Sequence, residues 1–161
     1  MLCVGLGNCG YRVASKNRLD SGHNSIVVVP FENRTNAYEV EQILTGSLVR
    51  ELVQKSTYDV VNNPNDADLE LGGAVLEVRV SPVAFGQASF GSTFLVTLRT
   101  SMYLQDRDSG ELLYQNNSYI FREQYVINVD VKNFFTELNP ALRRISDDFA
   151  SSVVTSIMEA F

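Results

Sequence analysis

Three long period-two stretches between about residues 68 and 127 constrain this chain more than any other feature. The first runs from about Asp68 to Phe85, the second from about Thr93 to Asp106, the third from about Glu111 to Ile127. On the second, Phe94, Val96, Leu98, Met102 and Leu104 fall on one side. On the third, Tyr119, Phe121, Tyr125 and Ile127 alternate with Arg122 and Gln124. Clean alternation means antiparallel strands with one face buried and the other wet. Asp106-Arg107-Asp108-Ser109-Gly110 supplies the turn between the second and third. In the first, the apolar set starts on odd positions, Leu69 and Leu71, and changes to even ones at Ala74, Leu76, Val78 and Val80. A period of two changes phase only through an extra residue, which predicts a bulge at Gly72-Gly73.

The elements around this meander are of two kinds. Ser25-Ile26-Val27-Val28-Val29-Pro30-Phe31 is a continuous apolar run, the mark of a strand covered on both faces, ended by Pro30. Glu32-Asn33-Arg34-Thr35 reads as a turn, and Asn36 with Glu39 as a capping box opening a helix. Val40, Ile43, Leu44, Leu48 and Leu52 form that helix's apolar stripe, interrupted by Gly46, which marks a candidate close approach to the sheet. Tyr58–Val61 is a short strand. A last helix is predicted to begin near Asn139-Pro140, with Leu142, Ile145, Phe149, Val153 and Ile157 on its buried side. Strand, helix, strand, meander, helix gives an α/β (α+β) fold. The expected architecture is a two-layer sandwich, a mostly antiparallel sheet of four to five strands with both helices on one face.

At 161 residues the chain makes one domain, and its net charge of −6 argues against a nucleic-acid partner. The two cysteines, Cys3 and Cys9, lie in an apolar N-terminal run, Met1 to Gly7, followed by Asn8-Cys9-Gly10. That run resembles the end of a bacterial lipoprotein signal, in which Cys9 is cut free and acylated. No Lys or Arg precedes Cys9, so the chain reads as starting inside its own signal. The expected division is a signal remnant at 1–8, a lipid-anchored tether at 9–24, and a single domain at 25–161. His23, the one histidine, falls in the tether and reads as a solvated side chain.

Catalytic patterns are missing from the sequence: it holds no nucleophile elbow, phosphate loop or HExxH, and its single histidine offers no base beside a nucleophile. Asp147 and Asp148 read as a solvated helix face. No enzyme, cofactor or metal is expected. The constellation that stands out is on the open side of the meander. Arg79, Arg99 and Arg122 are predicted to share that side with Leu95, Thr97, Ser101 and Tyr103. Guanidinium forks on neighbouring strands suit phosphates or carboxylates. The competing reading is an ordinary wet face on which Glu77 and Glu123 pair with the arginines.

Cys9-Gly10-Tyr11-Arg12, the run Ile26 to Thr35, Ala67-Asp68-Leu69, Ser81 to Phe85 and Phe121-Arg122-Glu123-Gln124-Tyr125 occur in an order that resembles the lipopolysaccharide-assembly lipoprotein family, LptE. The resemblance runs from about residue 9 to 161. It implies a non-enzymatic outer-membrane lipoprotein on the periplasmic side that plugs a large β-barrel, LptD, helps it assemble, and handles lipopolysaccharide. In that family basic residues at two loop tips contact lipopolysaccharide. The first loop here, Gly86 to Gly91, has none, whereas the second region holds Lys132. Lys132, Arg79, Arg99 and Arg122 are therefore the candidate lipopolysaccharide or partner contacts, and Cys9 the lipidation site. Activators of peptidoglycan synthases share the strand–helix opening and form the alternative. The tether of about 15 residues reaches at most roughly 50 Å, which favours a partner near the membrane.

Overall fold

The apolar run after residue 24 forms one strand, and a second short strand follows it in the stretch read as a turn. In the computed structural model, described over residues 22–84, 92–127 and 134–160, β1 is Ser25–Val28 and β2 is Glu32–Asn33. Pro30 has no N–H to give, so pairing breaks and resumes beyond it. The stretch read as a turn thus begins as a strand. Next come α1 (Val40–Lys55), β3 (Asp59–Val61), a 3-10 turn at Pro64–Asp66, and the meander β4 (Leu69–Ala84), β5 (Ser92–Asp106) and β6 (Leu112–Ile127). The final helix is α2, Phe134–Ala160.

The order across the sheet is β3-β1-β4-β5-β6, with β2 paired to β4 beyond the end of β1. β1 and β2 run parallel to β4, and β3 runs parallel to β1, while β4, β5 and β6 are antiparallel. The sandwich is as expected, with six strands in a mixed sheet. α1 makes the connection that parallel β1 and β3 require. Ile26, Val27 and Val28 are all buried, as a strand covered on both faces should be.

The helical stripes do what their spacing predicts. Val40, Leu44, Leu48 and Leu52 of α1 and Leu142, Ile145, Phe149 and Val153 of α2 are at most 2% exposed. They pack with Leu69, Leu71, Val75, Val96, Leu98, Met102 and Leu104 of the sheet in one core. Tyr119 and Phe121 of β6 meet Phe149 edge-on, at 5.5 and 6.4 Å between ring centres.

Four local expectations are corrected. The phase change in β4 lies not at Gly72-Gly73 but at Leu76, where Val75 pairs with Thr100 and Glu77 with Arg99. The glycines serve close packing instead: a Cβ at Gly72 would lie 2.6 Å from the Tyr103 hydroxyl, and one at Gly73 2.1 Å from the Ser101 carbonyl oxygen. Second, α1 starts after Glu39, whose φ is 60°, and no side chain caps it. Asn33 organises this entry instead. Its Nδ2 donates to the Ala37 carbonyl and to Glu41 Oε2, both at 2.8 Å, and its Oδ1 accepts from the Thr35 amide and hydroxyl. Third, α2 begins at Phe134, with Pro140 inside the helix. Fourth, Gly46 does not touch the sheet; a Cβ there would meet only the Arg50 side chain, at 3.4 Å.

β6 has a neighbour on one side only among the described residues. Two irregularities interrupt its pairing, between Asn116 and Tyr119 and between Leu112 and Tyr114.

Candidate functional site

The register of the meander builds the open face row by row. Ser81, Leu95 and Gln124 form one row, Arg79, Thr97 and Arg122 the next, and Glu77, Arg99 and Ile120 the third. Their chain neighbours Val96 and Leu98 are buried on the helix side, so these residues stand on the opposite side. The phase change at Leu76 is what brings Glu77 and Arg79 out here; without it they would face the core. The three predicted arginines therefore do share one face.

Their electrical states differ. Glu77 holds two of them: its Oε1 lies 2.6 Å from Arg79 Nη2, and its Oε2 accepts from Arg99 Nε at 3.2 Å. Hydrogen bonding from Arg99, and then from Arg79, keeps the Glu77 carboxyl below its ordinary range. Arg122 is exposed and has no acidic partner among the described residues. Glu123 pairs across to Val96 and so sits on the helix side of the sheet, away from the arginines. The wet-face reading is thus realised for Arg79 and Arg99, which form an ion-pair cluster around Glu77, and not for Glu123. Ile120, 46% exposed, lies opposite Arg99 and two residues from Arg122.

Further along the same face, Tyr103 covers Gly72 and its hydroxyl donates to Glu70 Oε1 at 2.8 Å. Arg107 donates to Glu70 Oε2. Burial, then the bond to Glu70, pushes the Tyr103 hydroxyl up to about 12, so it remains a neutral donor. The sequence signal for this network was weak, because Arg107 reads as a turn residue.

His23 departs from its expected solvated role. Its Nε2 lies 2.9 Å from Asp106 Oδ2, with the imidazole 13% exposed. Asp106 also caps its own turn, accepting from the amides of Asp108 and Ser109, and its carboxyl is held down to about 2, chiefly by Ser109 and then by His23. Asp68 accepts from the amides of Asn24 and Ser25 and from the Ser25 hydroxyl, which places its carboxyl below the usual range. Residues 23–25 are therefore fastened to the start of β4 and the end of β5. Asp147 is likewise joined rather than merely solvated: it accepts from Ser47 Oγ at 2.6 Å and from Arg50 Nη2 at 2.8 Å, linking α2 to α1.

Cys9, Lys132 and the loop from Gly86 to Gly91 lie outside the described residues. Among the described residues, no group of three or more His, Cys, Asp or Glu side chains is placed to hold a metal, and no helix is long and apolar enough to cross a membrane. The open face presents guanidinium donors, hydroxyls and exposed apolar surface at Ile120.

The fold resembles several solved structures. A PelC dodecamer subunit from Paraburkholderia phytofirmans aligns with TM-score 0.52 and 17% identity over 82% of this chain and 87% of that one. A hypothetical protein from Chlamydia trachomatis gives 0.55 and 9%, over 84% and 96%. A Caulobacter crescentus protein described as a candidate lipoprotein gives 0.52 and 14%, over 80% and 83%. Among curated proteins none matches the sequence. The family model for LptE, lipopolysaccharide-assembly, matches residues 24–157.

Proposed function

Because this chain belongs to the LptE lipopolysaccharide-assembly family, we propose that it is an envelope lipoprotein acting without catalysis as the plug and assembly partner of an LptD-type outer-membrane barrel. The family match is the observation that carries this reading. The open sheet face agrees with it, since a subunit that works by contact needs a broad recognition surface more than a cleft. Acylation of Cys9 would moor the domain at the periplasmic side of the outer membrane, and two or more chains on one residue hold far more firmly than one. Lys132 and the arginines of the open face would be the contacts to lipopolysaccharide or to the barrel. Of the arginines, Arg122 has charge to spare.

The test is co-expression with the outer-membrane barrel of the same cell, followed by purification of either protein. A stoichiometric complex, and a Cys9→Ala variant that leaves the membrane fraction, are the expected results. A chain that purifies alone and instead stimulates a peptidoglycan synthase would replace the barrel with that partner.

A further inference from the structure

We propose that Arg122 is the main charged docking contact of the open sheet face for a carboxylate on a protein partner, and that Glu77, by partly offsetting Arg79 and Arg99, makes them the weaker contacts on that face. The inference rests on the reading of the chain as a barrel partner and specifies which of its residues meets that partner.

Three observations lead to it. First, the face is locally basic on an acidic protein: the net charge is −6, yet Arg79, Arg99 and Arg122 share their rows with one acid, Glu77. An acidic patch is the complementary surface, and it is steered toward this side of the molecule in preference to the rest. Second, Glu77 engages one donor each of Arg79 and Arg99, at 2.6 and 3.2 Å, so its single negative charge offsets half of their combined charge and holds both side chains to the β4–β5 rows, whereas Arg122 is not offset in this way. Arg122 lies two strands from Arg79 across Thr97, about 10 Å away, beyond the reach of the same clamp. Third, the surroundings of Arg122 are those of a protein contact. Ile120 is 46% exposed on the same face, and Leu95 and Gln124 occupy the next row. A charge beside exposed apolar surface gains strength when a partner excludes water from it. A lipid phosphate would be better served by several guanidiniums converging on one anion, and here two of the three are held toward Glu77 instead.

The arrangement predicts opposite signs for two charge changes on one face, which a purely structural role does not. The experiment uses the full chain co-purified with its barrel, with affinity measured by titrating labelled chain into the barrel in detergent. Arg122→Glu is expected to weaken binding by about tenfold or more, since it sets like charges against each other. Arg122→Lys should retain most of the affinity. Arg79→Ala and Arg99→Ala are each expected to weaken binding by no more than about threefold, less than Arg122→Glu, because Glu77 already offsets part of their charge. Glu77→Gln frees two guanidiniums and should tighten binding a few fold. Each variant is first checked for an unchanged unfolding midpoint, which surface positions of this kind should preserve. The same set is run against lipopolysaccharide micelles. Wild-type chain that fails to bind the barrel overturns the plug reading and this inference with it. Wild-type binding with an indifferent Arg122→Glu overturns the inference alone. Loss of micelle binding with intact barrel binding overturns it in favour of a lipid contact.

Discussion

Tyr103 stands opposite Gly72 in the β4–β5 ladder, and its ring takes the space that a side chain at position 72 would need. A Cβ there would lie 2.6 Å from the phenolic oxygen and 2.7 Å from Val29 Cγ2. Gly72→Ala is therefore expected to destabilise the domain by about 1–3 kcal/mol, the usual range for overpacking. Tyr103→Phe in the same chain should recover part of the loss by removing the nearest atom. A double-mutant cycle in urea measures the coupling. Additivity of the two changes would show that the ring moves aside freely.

Ser47 is 1% exposed and lies between Arg50 and Asp147 where the helices meet. Ser47→Ala removes a donor to Asp147 and an acceptor from Arg50. The expected cost is about 1 kcal/mol, typical of a hydrogen bond to a charged group that water can partly replace. Chemical denaturation reads it directly, and a midpoint equal to wild type would mean that solvent fully substitutes.

Thr100 on β5 is 0% exposed, and its hydroxyl has no partner among the described residues. Valine has nearly the same shape without the buried oxygen. Thr100→Val should therefore raise stability by about 1 kcal/mol. A fall in the thermal midpoint would show that the hydroxyl has a partner in the folded protein.

Acid should loosen the end of the sheet near residue 24 first. Asp106 sits at about 2, and Asp68 also lies below its ordinary value. A carboxyl lowered by folding stabilises the fold above its unfolded pKa of about 3.9 and loses that contribution as pH falls through the folded value. Urea midpoints should hold steady above about pH 5 and decline toward pH 2. Asp106→Asn should lower the plateau and flatten the decline. An unchanged pH profile in that variant would shift the effect to other carboxylates.

The sequence carried the layer arrangement well and the joints poorly. Period-two and helical stripes report which face of an element is buried, and Leu98, Phe149 and Leu48 are where that logic places them. Residues that answer to a distant partner leave no such trace. His23 looked solvated because nothing nearby in sequence pairs with it, yet Asp106 waits at the end of β5. The Gly72-Gly73 pair looked like the phase change because glycine often marks one, whereas its cause is the bulk of Tyr103 and Phe31 above it. The apparent cap at Asn36 failed because Asn33 already fixes the entry loop. On the open face, alternation alone was enough to gather Arg79, Arg99 and Arg122. It could not reveal how Glu77 divides itself between two of them, since that depends on rotamers rather than on register.

The unequal rims of the sheet have a bearing on solubility. Among the described residues one rim is the three-residue β3, too short to template another chain, while the other is the 16-residue β6. A long open rim invites stacking into fibres, and two features oppose it here. The irregularities near Leu113 and between Asn116 and Tyr119 cut the row of exposed amides into shorter runs, and the longest remaining run, Tyr119–Ile127, carries Arg122 and Glu123 on opposite sides. A second copy laid along that run in parallel register would set Arg122 beside Arg122 and Glu123 beside Glu123, so the residue suited to greeting a partner also discourages pairing with its own kind.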